Sequence, residues 1–395
     1  MRIAILIGNG YGMGGTIRTV VNLAHALGTH HDVEIVSLVQ QHEQPFFELP
    51  AGVGMRNLVP SRSWPARPAQ GWPDRVLERI PSPHLPRAEA RGRGALFNVR
   101  TERALRRYLS ATDADVVIGT RPGLNLLLAR WAPRSVLRIG QEHVHFSHHS
   151  GDTRGAIQRW YPRLDGLTVL TEADRRDYAA ALRPESGWLT TMPNPLPPGD
   201  YPRSRLENPI VGAVSRITPI KQFPKLLEAF GKATRDRPDW QLRIYGRGQS
   251  LPQVRRAILD LGLHNQVALM GPTADVFGEL AKCSVVGVSS RAEGFGMSIV
   301  EAFAVGVPVV SFDCPHGPAE IITHDHNGLL VANQDVSALA AGLAQLMENT
   351  ERRRRMGAAA RATSVHYSPD VIADRWDAYL RQRITARHGQ LRVSS

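Results

Sequence analysis

The sequence predicts two doubly wound α/β domains, and three observations carry that expectation. Its 395 residues are more than one core usually spans, because domain sizes cluster around ~100–150 residues. Short apolar runs recur with amphipathic segments between them, the alternation that produces βαβ units and a parallel sheet. The alternation breaks once, at Pro193-Asn194-Pro195-Leu196-Pro197-Pro198-Gly199, where proline removes backbone donors and turns the residue before it away from helix. The expected division is therefore 1–198, 199–372 and a terminal helix, 373–395, packing back toward the first domain.

In the first half the expected strands are Ile3–Ile7, Val33–Leu38, Val116–Ile118, Val136–Ile139 and Leu167–Leu170. Between the first two, Ile17, Val20, Val21, Ala24 and Leu27 fall at helical spacing. The second half restarts with Val211–Val214, a helix around Lys225–Phe230, and strands at Leu242–Tyr245, Val267–Met270, Val285–Val288 and Val307–Ser311. A helix at Ser337–Met347, the basic run Arg352 to Arg355 and a last helix through Val371–Leu380 complete the chain. In such sheets the ligand is expected beyond the carboxyl ends of the strands.

Hydrophobic residues at 42% and charged residues at 21% are ordinary for a globular protein and argue against long disorder. The two cysteines, Cys283 and Cys314, form no metal- or redox-type pair, which fits a reducing, cytoplasmic setting. No stretch reaches the ~18–20 apolar residues of a membrane span, so membrane contact is expected to be peripheral, at the inner face. The net charge of +12 admits phosphate-bearing partners or an anionic surface. Nucleic acid is not expected, because no aromatic-basic strand motif and no zinc-finger spacing occurs. Only four residues are lysines, Lys221, Lys225, Lys232 and Lys282, so each is a candidate for a specific role.

The strongest motif is Arg291-Ala292-Glu293-Gly294-Phe295-Gly296-Met297-Ser298-Ile299-Val300-Glu301. It follows a buried strand and opens a helix, so the amides of Gly294, Phe295, Gly296 and Met297 lie where a helix N-terminus receives an anion. Glu293 and Glu301 flank the turn, and an ionised carboxylate accepts several hydrogen bonds, as from sugar hydroxyls. A plain helix cap with a solvated glutamate is the competing reading. Arg216 and Lys221 leave one strand-to-helix loop and together suit a departing diphosphate; two solvated surface cations are the alternative.

Other clusters are ambiguous. Asp113-Ala114-Asp115 has the Asp-x-Asp form of a metal site but precedes a strand, where a capping role is expected. Glu142-His143-Val144-His145-Phe146-Ser147-His148-His149 carries four histidines without a matching ligand set elsewhere, so a loop after a strand, not zinc, is expected. The glycines at 8, 10, 12, 14 and 15 lack the dinucleotide-binding spacing. From Arg62 to Arg107 eleven arginines face four acids, with prolines at 65, 68, 73, 81, 83 and 86. That segment is expected to be irregular in its middle and to form a basic lip, with Arg87, Arg91 and Arg93 on it; a solvated insertion is the alternative.

Glu293-Gly-Phe-Gly followed by Glu301 resembles the E-x7-E signature of retaining GT-B glycosyltransferases of family 4 type, which include sucrose and trehalose-phosphate synthases. Val214 to Lys221 resembles that family's segment whose Arg and Lys clamp the donor diphosphate. Gln222 follows where the family usually has glycine. Tyr245-Gly246-Arg247-Gly248 resembles its Gly-x-Gly loop, and Gly12-Met13-Gly14-Gly15 its N-terminal glycine loop. Asp313 to Ile322 looks like a loop of bacterial members acting on polyol-phosphate polymers such as wall teichoic acid.

The resemblance implies GT-B architecture, two Rossmann-like domains facing a central cleft, and sugar transfer from a nucleoside diphosphate donor, UDP type, with retention. It implies no metal and no other cofactor. Arg216 and Lys221 would stabilise the leaving group, and His143 and Glu293 would orient the sugar. Glu301 would hold the ribose, while Gly14, Gly15 and Gly246 would approach the donor. The acceptor would be anionic, polymeric or lipid-linked, or else a small molecule. A nucleotide-sugar epimerase, a GT-B phosphorylase and a non-catalytic sugar-nucleotide binder are the alternatives.

Overall fold

The computed structural model describes residues 1–60, 72–91 and 96–393. The chain divides into two compact units, Met1–Pro198 with Pro369–Ser395, and Gly199–Ser368. The return to the first unit thus begins at Pro369, ahead of the expected residue 373.

The first unit runs β1 (Arg2–Asn9), α1 (Gly15–Gly28), β2 (Asp32–Gln40), β3 (Gly54–Pro60), α2 (Trp72–Arg79), α3 (Arg87–Arg91), α4 (Val99–Ala111), β4 (Val116–Gly119), α5 (Pro122–Trp131), β5 (Leu137–Gln141), α6 (Gly151–Trp160), β6 (Gly166–Val169), α7 (Glu172–Leu182) and β7 (Leu189–Thr191). Its seven strands lie in the order β3-β2-β1-β4-β5-β6-β7, all parallel. Ile5 pairs with Ile35 on one side and Ile118 on the other. Helices cover both faces, which is why these strands read as nearly unbroken apolar runs.

The second unit runs β8 (Ile210–Val214), α8 (Phe223–Ala233), β9 (Gln241–Tyr245), α9 (Leu251–Asp260), β10 (Val267–Gly271), α10 (Val276–Ala281), β11 (Val285–Val288), α11 (Met297–Ala304), β12 (Val309–Phe312), α12 (Pro318–Ile321), β13 (Gly328–Val331), α13 (Val336–Glu348) and α14 (Thr350–Ser364). Its sheet order is β10-β9-β8-β11-β12-β13, again parallel. The order reverses at β1/β4 and at β8/β11, the positions where doubly wound sheets open a crevice for ligand.

The chain ends in α15 (Pro369–Val393). Its Ile372, Trp376, Tyr379 and Leu380 are buried in one apolar cluster with Ile3, Ile5, Leu137 and Ile139. The Tyr379 hydroxyl donates to the Trp188 carbonyl at 2.6 Å, and His31 Nε2 lies 2.6 Å from Asp377. Among the described residues no helix is long and apolar enough to cross a membrane.

Two basic segments take definite places here. The Arg-rich segment is irregular over 80–86, around Pro81 and Pro83, as expected, but helical on either side, where Pro73 and Pro86 stand at helix starts and a missing N–H costs nothing. Pro73 is the second residue of α2, and the Pro86 carbonyl accepts from Glu89 and Ala90 at the start of α3. Arg100 there pairs with Glu78 and lies 3.4 Å from Asp74. Arg87 and Arg91 belong to α3, while Arg62, Arg67 and Arg93 lie outside the described residues. The basic run at 352–355 divides between surface and interior. Arg353 is buried in α14, and its guanidinium donates to the carbonyls of Leu346 and Met347 at 2.6 and 2.8 Å, closing the carboxyl end of α13.

Truncating Trp376, which is fully buried, should destabilise the first unit by ~3–5 kcal/mol, the usual cost of emptying an aromatic core site. Chemical denaturation of Trp376→Ala followed by circular dichroism checks this, and a loss under ~1 kcal/mol would place α15 outside that core.

Candidate active site

In the second unit, the loops leaving β8 and β11 meet at the strand-order reversal. Lys221 closes a short 3-10 turn (Pro219–Lys221) after β8, and its Nζ lies 2.6 and 2.7 Å from the two carboxylate oxygens of Glu293 in the loop after β11. Ser290 Oγ donates to the same carboxylate at 2.5 Å. Arg291 N–H donates to the Ile220 carbonyl at 2.8 Å, and Ser289 Oγ to the Lys221 carbonyl at 2.9 Å. The two loops are therefore sewn together by backbone, hydroxyl and charge. Lys221 and Glu293, expected in separate roles, form one partly buried ion pair, with side chains 19% and 7% exposed.

Gln222, in the position of the family's glycine, takes the left-handed conformation with φ 49° and ψ 41°. Glycine adopts that region freely and other residues do so at a cost. Here the Gln222 amide oxygen accepts from Gln334 Nε2 at 2.9 Å, which ties down the turn that carries Lys221. Gly246 has φ 141°, and a Cβ there would stand 1.9 Å from the Ser215 carbonyl. The Gly-x-Gly loop is glycine-bearing because it closes on the Arg216 loop, where Ile217 N–H also reaches the Arg247 carbonyl at 2.9 Å.

Helix α11 begins at Met297 on Gly296, whose φ is 107° and which has no side chain to cap it. Its amino end thus presents amides at Gly294 to Met297 with no side-chain cap, the arrangement that favours an anion. The Phe295 ring is buried and stacks edge-on to Tyr367 at 5.7 Å, so only its backbone serves the loop. Glu301 is buried within α11. The Arg216 side chain is exposed, and Cys314 is a buried free thiol pushed up to about 12, first by burial and then by Glu293.

In the first unit, α1 starts on Gly14 without a side-chain cap. A Cβ at Gly15 would meet nothing within 4 Å, and one at Gly14 only Ile17 at 3.7 Å. No packing demand explains these two glycines. His143 is the second residue after β5; burial pushes its pKa down to about 4, and its Nε2 is buried with no hydrogen-bond partner among the described residues. Its ring is therefore neutral at pH 7. Two of the other three histidines turn into the unit, His145 Nδ1 lying 2.8 Å from Asp174 and His149 Nε2 3.0 Å from the Tyr178 hydroxyl, while His148 is exposed. Asp115 accepts from the Arg2 amide at 2.8 Å and Asp113 pairs with the Arg2 guanidinium, at the amino ends of β1 and β4.

Sequence reasoning passed over Glu142. Its carboxyl is buried, accepts from Asn125 Nδ2 at 2.7 Å and from the Tyr161 hydroxyl, and its amide donates to the Thr168 carbonyl at 2.9 Å. Burial pushes its pKa up to about 8. An acid placed directly after an apolar strand was the available signal.

Residues 202–363 match the family model described as "Glycosyl transferases group 1". That segment belongs to this family. The chain is 36% identical over 401 aligned residues to an exopolysaccharide phosphotransferase of Streptomyces coelicolor, covering all of this chain and 42% of the relative. It is 29% identical to a poly(ribitol-phosphate) alpha-N-acetylglucosaminyltransferase of Staphylococcus aureus over 59% of this chain and 49% of the relative. The chain thus spans less than half the length of these relatives. Among solved structures, S. aureus TarM superposes with TM-score 0.76 at 18% identity, over 96% of this chain and 98% of that one. HepE of Anabaena, in complex with UDP and glucose, gives 0.74 at 18%, over 97% and 100%. The fold is GT-B.

A pH dependence follows from the first-unit groups. Glu142 keeps its proton in the folded state up to about pH 8, while the unfolded chain releases it near 4.5, so stability falls as pH rises between those values. His143 and His149, both lowered to about 4 by burial, cost stability in the opposite sense, as pH falls from 6.5 toward 4. Thermal midpoints from pH 5 to 9 should show Glu142→Gln gaining on the wild type as pH rises, with the acid-side loss kept by both proteins. Parallel curves throughout would show that Glu142 is ionised in the folded protein.

Proposed function

We propose that this chain transfers a glycosyl unit from a nucleoside diphosphate sugar, of UDP type, to an acceptor hydroxyl, with retention of configuration and without a metal. The observation that carries the reading is the Lys221–Glu293 pair set beside the bare amino end of α11 at the strand-order reversal. A diphosphate placed there meets an ammonium, the exposed Arg216 and helix amides, groups that stabilise charge as it develops on a departing phosphate. Glu293 also faces the sugar side of that diphosphate and holds Lys221 in reach of it. In the transfer the bond between the anomeric carbon and the phosphate oxygen breaks, and the acceptor oxygen bonds to that carbon. The acceptor proton passes to the leaving phosphate oxygen, so no separate base is needed. His143, neutral with an unused Nε2, orients a sugar hydroxyl, and Glu301 holds the ribose.

Support for the donor class comes from the structures of TarM and HepE, which were solved with UDP, in the second case also with UDP-glucose. Support for a polyol-phosphate acceptor comes from the S. aureus relative's name and from a Bacillus subtilis poly(glycerol-phosphate) alpha-glucosyltransferase, 27% identical over 60% or less of this chain. Two buried free cysteines accord with a cytoplasmic setting, with peripheral contact at the membrane where such polymers are made.

The S. coelicolor relative's name favours a second reading, transfer of a sugar phosphate. More than half of that relative has no counterpart in this chain, so its named activity need not reside in the shared part. The two chemistries cut different bonds and release different nucleotides. Incubating the protein with UDP-sugars and a glycerol- or ribitol-phosphate oligomer should release UDP; release of UMP, with a phosphodiester in the product, would favour the second reading. Lys221→Ala and Arg216→Ala should each lower turnover by roughly 10²–10³, as for one preorganised electrostatic donor, and a chelator should leave activity unchanged. Loss of activity in chelator with rescue by manganese would overturn the metal-free mechanism.

A further inference from the structure

A second donor-rich cavity lies in the same unit, on residues that the glycosyl-transfer reading does not use. It has a volume of about 240 Å³ and is lined by the amino ends of α8 and α9 together with Thr218, Arg291 and neighbouring side chains. At ~30 Å³ per water molecule, that is room for a phosphoryl group and part of its ester. Neither Lys221 nor Glu293 lines it, and no acidic residue does.

The lining is built for an anion in several independent ways. Lys225 and Arg291 supply two cations. The Lys225 ammonium spends one contact on the Gln334 amide oxygen at 2.6 Å, leaving its other hydrogens, and the exposed Arg291 makes no ion pair among the described residues. Helix α9, ten residues long, is uncapped. Its cap residue, Ser250, is 5% exposed, yet its hydroxyl makes no hydrogen bond among the described residues and it lines the cavity. A buried serine at a helix start normally accepts from the third helical amide, here that of Gln253, which also lines the cavity. Helix α8 likewise starts on Gln222 without a side-chain cap. Pro224 and Pro252 carry no N–H, and the N–H groups of Lys225 and Leu251 donate to the Gln222 and Gly248 carbonyls at 2.9 and 3.2 Å, so the first turns offer the amides of Phe223 and Gln253. Those amides, an unused hydroxyl and two cations around one hollow suit a phosphoryl group.

We propose that this cavity is a phosphoryl-anion site separate from the donor site, taking either a free phosphate or a phosphodiester of a polymeric ligand. It does not rest on the glycosyl-transfer reading and would survive that reading's failure. Inorganic phosphate and a glycerol-phosphodiester oligomer are titrated calorimetrically into the protein with and without saturating UDP, the ligand proposed above for the Lys221 loop. Phosphate should bind in the presence of UDP, and Arg291→Ala and Lys225→Ala should each weaken it by roughly tenfold or more, as for loss of a charge-assisted hydrogen bond. Ser250→Ala should weaken it less, and Lys221→Ala should leave it intact whether or not UDP is present. Tighter binding of the oligomer than of phosphate identifies the polymer as the source; the reverse identifies a free phosphate. No binding with UDP present, or binding indifferent to Arg291→Ala and Lys225→Ala, overturns the proposal.

Discussion

The ion pair between Lys221 and Glu293 is the constraint on which the second unit's site depends. A lysine leaving β8 and a glutamate leaving β11 meet at 2.6 Å only because those two strands are neighbours at the point where strand order reverses. The pair is mostly withdrawn from water, so its attraction is stronger than that of a surface pair. It fixes the position of Lys221 against the loop that leads into the glycine-opened helix. Under the proposed function a donor diphosphate would compete with the carboxylate for that cation, so the resting pair would both place Lys221 and temper its affinity.

Backbone geometry supports this arrangement at a local cost. Gln222 holds a left-handed conformation next to Lys221, and Gly296 holds another at the start of α11. Gly246 permits the Arg216 loop to approach to a distance no other residue allows. Gly317, with φ 108°, does the same on the far side, where a Cβ would stand 2.2 Å from the Phe295 carbonyl. The loop at 313–322, singled out for its prolines, thus braces the turn that presents the amides of α11. Residues of unfavourable conformation gathered around one point are a common mark of a site held ready for ligand.

Much of this architecture was legible in the sequence, and the parts that were not share a physical reason. The buried central strands declared themselves as apolar runs, and the helix opened by Gly294 and Gly296 declared itself by its glycines. Strands β3, β7 and β13 did not: β3 carries Arg56 and Asn57 within a half-exposed edge, β7 is three residues long, and β13 is an edge strand that opens on a glycine and is only half buried. The contact of Lys221 with Glu293 spans 72 residues of chain and depends on strand adjacency that no local pattern encodes. The burial of Arg353 was not legible within its run of four arginines, because the carbonyls that it satisfies, those of Leu346 and Met347, belong to the preceding helix. Glu142 was hidden for a related reason: the side chains of Asn125 and Tyr161 that receive it come from α5 and from the turn after α6.

The central claim is that Glu293 acts on the donor phosphate through Lys221, and a double-mutant cycle on UDP affinity tests it most directly. With Lys221 present, Glu293→Gln should tighten UDP binding, because the ammonium is released to the diphosphate. In a Lys221→Met background the same change should do nothing. An equal effect of Glu293→Gln in both backgrounds would contradict the account, because the carboxylate would then act on the nucleotide without the lysine.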